Sequence, residues 1–422
     1  MTLPILRGTL VPISHATDLQ EGPAPSAVRK ALMPSPDRAS VRLAIGGLFS
    51  LAAAMGIGRF VYTPILPFMS EGLGLTAQQA GLIAASNFIG YLVGALAGAS
   101  KSLPGSPRFW FLGGLLVSAL TSAFMALTVS VPAFLLIRFI SGLASAFVLV
   151  FSTSLILERL ASRGHPGLSA LHFAGVGCGI AFSALLVAGL DHLSTDWRTL
   201  WLASGAATLL FLMLTAALVP GQPATVTAAP TVSTSQPPGP RLFNGSLIRL
   251  TVAYGLFGFG YVITATFVSA IARTTPAIRS TEGLVWLTVG ICAAPSVVLW
   301  NRIALRKGTR KAFALACLLE AFGVALTAVT TSPALFLLGA GLLGATFVGI
   351  TALGLTEARL LARAGGPTAT RQVLAFLTAS FGVGQVAGPW FAGQLHHMTG
   401  SFQAASLAAG AALLVAALLV VR

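Results

Sequence analysis

The sequence predicts an all-α membrane protein of twelve transmembrane helices in two pseudo-symmetric six-helix halves. Three observations predict it. Of 422 residues, 55% are hydrophobic and only 8% charged, with a mean hydropathy of +0.88, whereas a soluble domain carries about 25% charge. Apolar runs long enough to cross a bilayer recur twelve times. Features of the first half return about 200 residues later.

In chain order, residues 1–41 are polar and Pro-rich and lack an apolar core ahead of a cleavage site. They read as a disordered cytoplasmic tail, not a secretory signal. Met33, shortly before the first span, is a second candidate start. The spans fall at roughly 42–68, 78–100, 109–129, 132–157, 167–190, 199–219, 246–271, 283–301, 311–331, 333–357, 371–395 and 402–421. In a bilayer such runs must be helices, because their backbone groups find no water to bond. Residues 42–219 and 246–422 form the two halves. Residues 220–245, rich in Pro, Thr, Ser and Gly, form a flexible cytoplasmic linker. The 46 glycines suit close helix approach, as at Gly90, Gly94 and Gly98. Cys178, Cys292 and Cys317 lie inside apolar spans without disulfide or zinc spacing and read as small packing residues.

Charge sets the expected orientation. With the N-terminus in the cytoplasm, twenty of the 25 Lys and Arg fall on the cytoplasmic side. Three, Arg198, Arg273 and Arg279, fall outside, and Arg59 and Arg138 lie within spans. Such asymmetry predicts cytoplasmic N- and C-termini. It also accounts for the net charge of +15 and the pI near 11.3 without a nucleic-acid partner.

The internal repeat is legible position by position. Gly56 and Gly58 match Gly258 and Gly260, Gly90 matches Gly290, Glu158 matches Glu357, and Gly175 and Gly177 match Gly382 and Gly384. Two parallel six-helix repeats joined by a linker describe the major facilitator architecture. From residue 42 on, the chain resembles major facilitator superfamily transporters, and most of all the YbfB/YjiJ-type branch. The residues that carry this are Gly56–Pro67 in helix 1, Gly167–Gly177 entering helix 5 and Gly258–Phe267 in helix 7. The superfamily's general motifs are patchier. The loop between helices 2 and 3 keeps Lys101, Gly105 and Arg108 but has no aspartate, and Asn301 stands where the loop after helix 8 would carry one. Arg138-Phe-Ile-Ser141-Gly142 resembles a helix 4 motif linked to proton coupling. Gly384-Gln385, Gly388-Pro389 and Gly393 resemble the antiporter motif, here in helix 11 instead of helix 5.

Charged residues in the membrane are the candidate functional groups, because an arginine there costs about 2.5–3.5 kcal/mol on insertion scales. On a regular helix Gly56, Arg59 and Thr63 share one face. Arg59 then faces a cavity; alternatively it snorkels outward, since Pro64 and Pro67 suggest that the helix is ending. The resemblance implies that helices 1 and 4 line the central cavity and that helices 1 and 7 are gates. Arg59 and Arg138 then give the cavity a positive potential suited to an organic anion such as a carboxylate. The alternative is that one or both serve conformational coupling or bond to carbonyls. Tyr62, Thr63, Asn87, Tyr254, Tyr261 and Gln385 complete the cavity candidates. Tyr261 aligns with Arg59 across the repeat, and Asn87 and Gln385 are equally candidates for bridging helices.

Glu320, halfway along helix 9, is a lone carboxyl in an expensive place and a candidate proton carrier, or a packing group of its own half. Glu158 and Glu357, beside Arg159 and Arg359, are candidates for gating ion pairs or plain interfacial charges. His172 is a titratable candidate in helix 5, or a satisfied packing residue. The adjacent His396 and His397 have poor spacing for a helical metal site. No phosphate loop, nucleophile elbow, zinc spacing or carboxylate pair appears in the sequence, so neither an enzyme nor a cofactor is expected. The expected function is secondary active transport of a small organic solute across the bacterial inner membrane by alternating access. It is expected to be proton-coupled antiport and export by a monomer. Proton-coupled uptake of an organic anion, and a transporter-like sensor or scaffold that binds without transport, remain as alternatives.

Overall fold

A computed structural model describes residues 37–100, 103–221 and 245–421. The expected N-terminal tail up to residue 36 and most of the expected linker lie outside the described residues. Among the described residues, eleven helices are long and apolar enough to cross a membrane, and a bent pair makes a twelfth span. The first half holds α1 (Arg38–Leu73), α2 (Ala77–Gly98), α3 (Pro107–Leu127), α4 (Val131–Ser162), α5 (Pro166–Asp191) and α6 (Trp197–Leu218). The second holds α7 (Gly245–Thr274), α8 in two parts (Pro276–Ala293 and Ser296–Lys307), α9 (Thr309–Val329), α10 (Pro333–Ala362), α11 (Gly366–Thr399) and α12 (Gln403–Val421). The twelve-helix fold expected from the sequence is therefore present.

Local chemistry sets the helix ends. Thr76 and Gln79 form a reciprocal capping box that starts α2. Asp196 accepts the Thr199 amide at 2.9 Å to start α6, and the bonds from Thr199 hold its carboxyl below the usual range. Gly74 ends α1 and Gly400 ends α11, with φ of 66° and 72° that a side chain rarely adopts. α8 bends by 44° at Ala294–Pro295, because Pro295 has no N–H to continue the ladder. This break divides the expected span 283–301.

One further expectation is corrected. α1 does not end near Pro64 and Pro67 but starts at Arg38 and runs to Leu73. The start of α3, where the preceding loop has no aspartate, is tied to the end of α6 without a carboxylate. Arg108 donates to the Val219 carbonyl and, at 3.1 Å, to that of Ala216, while Arg42 reaches Ala217 and Arg159 reaches Pro220 at 3.0 Å. Three cations thus gather on the orphan carbonyls at the C-terminal end of α6, where the helix dipole is negative.

The halves meet along two seams, α2 with α11 and α5 with α8. Both are backbone contacts made at glycine. Gly81 lies against the Pro389 carbonyl, and Gly290 lies against the Ala181 backbone. In lipid, small residues drive such packing because close approach maximises dispersion contact. Gly290→Val therefore overpacks the α5–α8 seam and costs about 1–3 kcal/mol. Gly189→Val, which meets open space, is the control. Thermal unfolding in detergent is expected to show a lower midpoint for the first only.

Candidate functional site

α1 breaks its own helix at the site. It is α-helical over Arg38–Leu51, widens to a π-helix over Ala52–Ile57, turns at 58–61 and is α-helical again over Tyr62–Leu73. The Gly58 amide reaches back five residues to the Ala53 carbonyl at 2.8 Å, and that of Phe60 reaches Met55 at 3.1 Å. Beyond the bulge the Thr63 amide bonds the Phe60 carbonyl at 3.2 Å, an acceptor that Pro64 has no N–H to serve. The Arg59 carbonyl, which Thr63 would bond in a regular helix, is thereby left without its donor.

Arg138 of α4 supplies the missing donors. Its Nη1 donates to the Gly58 carbonyl at 3.0 Å and its Nη2 to that of Arg59 at 2.9 Å, and the Ser141 hydroxyl adds a bond to Gly58 at 3.2 Å. The guanidinium lies 5.1 Å from the Tyr62 ring, and Arg138 is only 3% exposed. Of the two alternatives for Arg138, the carbonyl-bonded one describes its geometry. Asn87 of α2 donates to the Arg138 carbonyl at 3.0 Å and bridges α2 to α4.

The π-turn also changes the phase of α1. Gly56, Arg59 and Thr63 do not share a face: Gly56 packs on Gly179 of α5, Arg59 faces α2, and Thr63 donates to the Ala265 carbonyl of α7 at 2.6 Å. Arg59 does not snorkel, being 5% exposed. Its guanidinium lies 4.2 Å from the Tyr91 ring, 4.6 Å from that of Phe88 and 5.5 Å from that of Phe60. Nη1 makes a weak 3.9 Å contact with the Met55 sulfur, while Nε and Nη2 have no hydrogen-bond partner. Among the described residues, no acidic side chain pairs with Arg59. The cation is held by ring faces.

Facing it from the second half is a wall of rings. Tyr261 of α7 lies parallel to Phe347 of α10 (centroids 5.6 Å apart) and to Phe381 of α11 (5.9 Å). Phe60 stands 6.1 Å from Phe347, which joins the wall to the Arg59 cage. Gln385 donates to the Tyr261 hydroxyl, and Tyr254 donates to the Thr351 carbonyl at 3.0 Å. Tyr62 donates to the Ala80 carbonyl at 3.0 Å, tying α1 to α2. The motif residues serve packing here: Gly258 meets Phe381, Gly260 meets Leu413, Gly384 meets the Gly255 backbone, Gly388 meets Val262, and the Pro389 carbonyl meets Gly81.

The titratable candidates separate. Glu320 is fully buried, and neither oxygen has a hydrogen-bond partner. Thr346 of α10 is a near polar neighbour, but its hydroxyl is directed to the Leu342 carbonyl at 2.6 Å. His172 is buried with Nε2 3.2 Å from the Ser152 hydroxyl. Glu357 pairs with Arg310 at 2.7 Å instead of the adjacent Arg359, and Glu158 is exposed while Arg159 bonds Pro220. Neighbours in sequence point apart on a helix, which is why the adjacent pairings do not form. Of the cysteines only Cys317 is fully buried.

A cluster that sequence reading missed lies at the face opposite the termini. Arg273 of α7 contacts Glu71 of α1 at 3.1 Å and Glu282 of α8 at 2.6 Å, and lies 3.9 Å from the Phe68 ring. It borders a cleft of about 440 Å³ that Asp191, His192, Arg279 and Trp286 also line. A signal for it was present: Glu71 and Arg273 are 202 residues apart, the spacing of the repeat.

With this geometry in hand, the chain belongs to the family described as "Uncharacterised MFS-type transporter YbfB", whose model matches residues 51–421. A curated relative, the uncharacterized MFS-type transporter YceJ of Bacillus subtilis (strain 168), is 26% identical over 69% of this chain and 74% of its own. Among solved structures, the nucleoside transporter NupG aligns with a TM-score of 0.67 and 16% identity over 91% of this chain and 98% of that one. A bacterial homologue of the human lysosomal transporter Spinster, in an inward-facing and occupied conformation, aligns with a TM-score of 0.63 and 15% identity over 92% and 95%. These identities carry the fold alone.

The two arginines are expected to respond oppositely to loss of charge. Arg138→Gln strips donors from two buried carbonyls and is expected to cost about 2–4 kcal/mol. Arg59→Gln removes an unpaired buried charge and is expected to leave stability within about 1 kcal/mol of the parent or to raise it. Thermal unfolding of both variants in one detergent checks the contrast; equal losses would contradict it.

Proposed function

We propose that the protein is a secondary active transporter that moves a small organic solute across the bacterial inner membrane in exchange for protons. Its halves rock about the contact of α1 with α7. One observation carries this reading. Thr63 bonds Ala265 and Glu71 pairs with Arg273, and each pair is 202 residues apart. Equivalent positions of the two repeats therefore touch, as they do only near the axis that relates them. A contact on that axis lets the halves turn while staying in register.

Three further features support the finer reading. The fully buried Glu320, whose oxygens have no hydrogen-bond partner among the described residues, suits a group that gains and loses a proton. The Gly384–Gly393 segment, which resembles the antiporter motif, packs α11 on α7 and α2 and supports exchange and export. The excess of basic residues at the termini-bearing face supports cytoplasmic termini. The working unit in this reading is a monomer.

The test is flux in proteoliposomes with an imposed pH gradient. Solute leaving against entering protons is expected. Co-movement of the two would make the protein a symporter, and binding without flux would make it a sensor. Glu320→Gln is expected to reduce pH-driven flux at least about tenfold while leaving solute–solute exchange in place. If pH-driven flux were unchanged, Glu320 would not be the coupling group.

A further inference from the structure

We infer that the Nε–Nη2 edge of Arg59 is a carboxylate fork, and that the solute it holds is a flat aryl carboxylate. The inference rests on the transporter reading and narrows it to a substrate class.

The first ground is the geometry of the unused donors. Nε and Nη2 are both buried and without a partner, and they lie on one edge of the guanidinium. Their N–H bonds are parallel there, which is the arrangement that receives both oxygens of a carboxylate. The third nitrogen, Nη1, points to the Met55 sulfur and leaves that edge open. An arginine present only for packing would be expected to bond carbonyls, as Arg138 does with Gly58 and Arg59. The two arginines thus differ: Arg138 places two nitrogens on carbonyls, whereas Arg59 places none on a carbonyl.

The second ground is the surroundings. Phe88 and Tyr91 already occupy ring contacts with the cation. Across from it Phe347, Tyr261 and Phe381 lie with planes within 7° of parallel, a flat apolar face. These deep residues keep a thread of exposure, 7% at Phe60, 8% at Tyr91, 7% at Phe347 and 7% at Phe381, while Phe257 behind them has none. The Tyr261 hydroxyl accepts from Gln385 and so keeps its own proton to donate. In the inferred complex the solute's planar ring lies against these rings, with its carboxylate on Arg59 and its other polar contact at Tyr261.

The test is binding, measured apart from flux. Purified protein is titrated with benzoate and 2-naphthoate, with benzamide and 2-naphthamide, and with straight-chain alkanoates of equal carbon number. The readouts are thermal shift and quenching of the tryptophan fluorescence to which Trp286, 6.3 Å from Phe60, contributes. The aryl acids are expected to bind, the amides at least about 30-fold more weakly for want of the charge. The alkanoates are expected about three- to tenfold weaker for want of ring contacts. R59K keeps the charge but not the fork, and is expected to lose at least about tenfold for the acids. Y261F is expected to lose about threefold to tenfold. The inference is overturned if no aryl acid binds, if the amides bind as well as the acids, if the alkanoates match the aryl acids, or if R59K retains the parent's affinity. Any of these with pH-driven flux of another solute leaves the transporter reading standing. Aryl acids that bind as expected but do not cross the proteoliposome membrane support the site and overturn transport instead.

Discussion

The site depends on a few backbone bonds that α1 cannot make for itself. A π-turn over Ala52–Ile57 followed by Pro64 leaves the carbonyls of Gly58 and Arg59 without helical donors. In lipid no water takes up that deficit. A charge from α4 has to cross to α1, and Arg138 does so with two nitrogens on two oxygens. The cost of burying a guanidinium is offset in part because two of its nitrogens bond carbonyls that would otherwise lack donors. Asn87 then ties α2 to the same residue through the Arg138 carbonyl. Three helices are thus fixed around one irregular turn, and the turn rotates Arg59 away from α7 and into the rings of α2.

The same turn divides α1 functionally. Its lower part packs on α5 and α6, where a Cβ at Gly56 would fall on the Gly179 backbone. Its upper part belongs to the contact between halves, through Thr63 on Ala265 and Glu71 on Arg273. A helix broken in the middle can keep one end fixed and move the other. The glycine seams on either side present backbone to backbone, so the proposed turning of the halves would require few side chains to disengage. In this arrangement the unpaired Arg59 stands at the break, next to both parts.

Much of this was legible in the sequence. The twelve spans follow from hydropathy, because a bilayer accepts only helices whose backbones are self-satisfied. The repeat follows from glycines that recur near an offset of 200. The same offset relates Glu71 to Arg273, but both lie at helix ends, where interfacial charges are ordinary and carry little signal. Arg59 and Arg138 were legible as costly residues, and Tyr261 as the repeat partner of Arg59.

Which arginine is occupied was decided only by the tertiary structure. Residue types do not reveal a π-turn, and one extra residue in a turn shifts every later side chain by about 100° around the helix axis. That shift moved Gly56, Arg59 and Thr63 onto three different helices. It also created the acceptors that occupy Arg138. The sequence by itself determined the membrane fold, its two-fold repeat and the presence of buried cations, because these follow from composition along the chain. The structure decided the partners of those cations, because partnership depends on where a carbonyl is left open, and that is a property of backbone phase and not of residue identity.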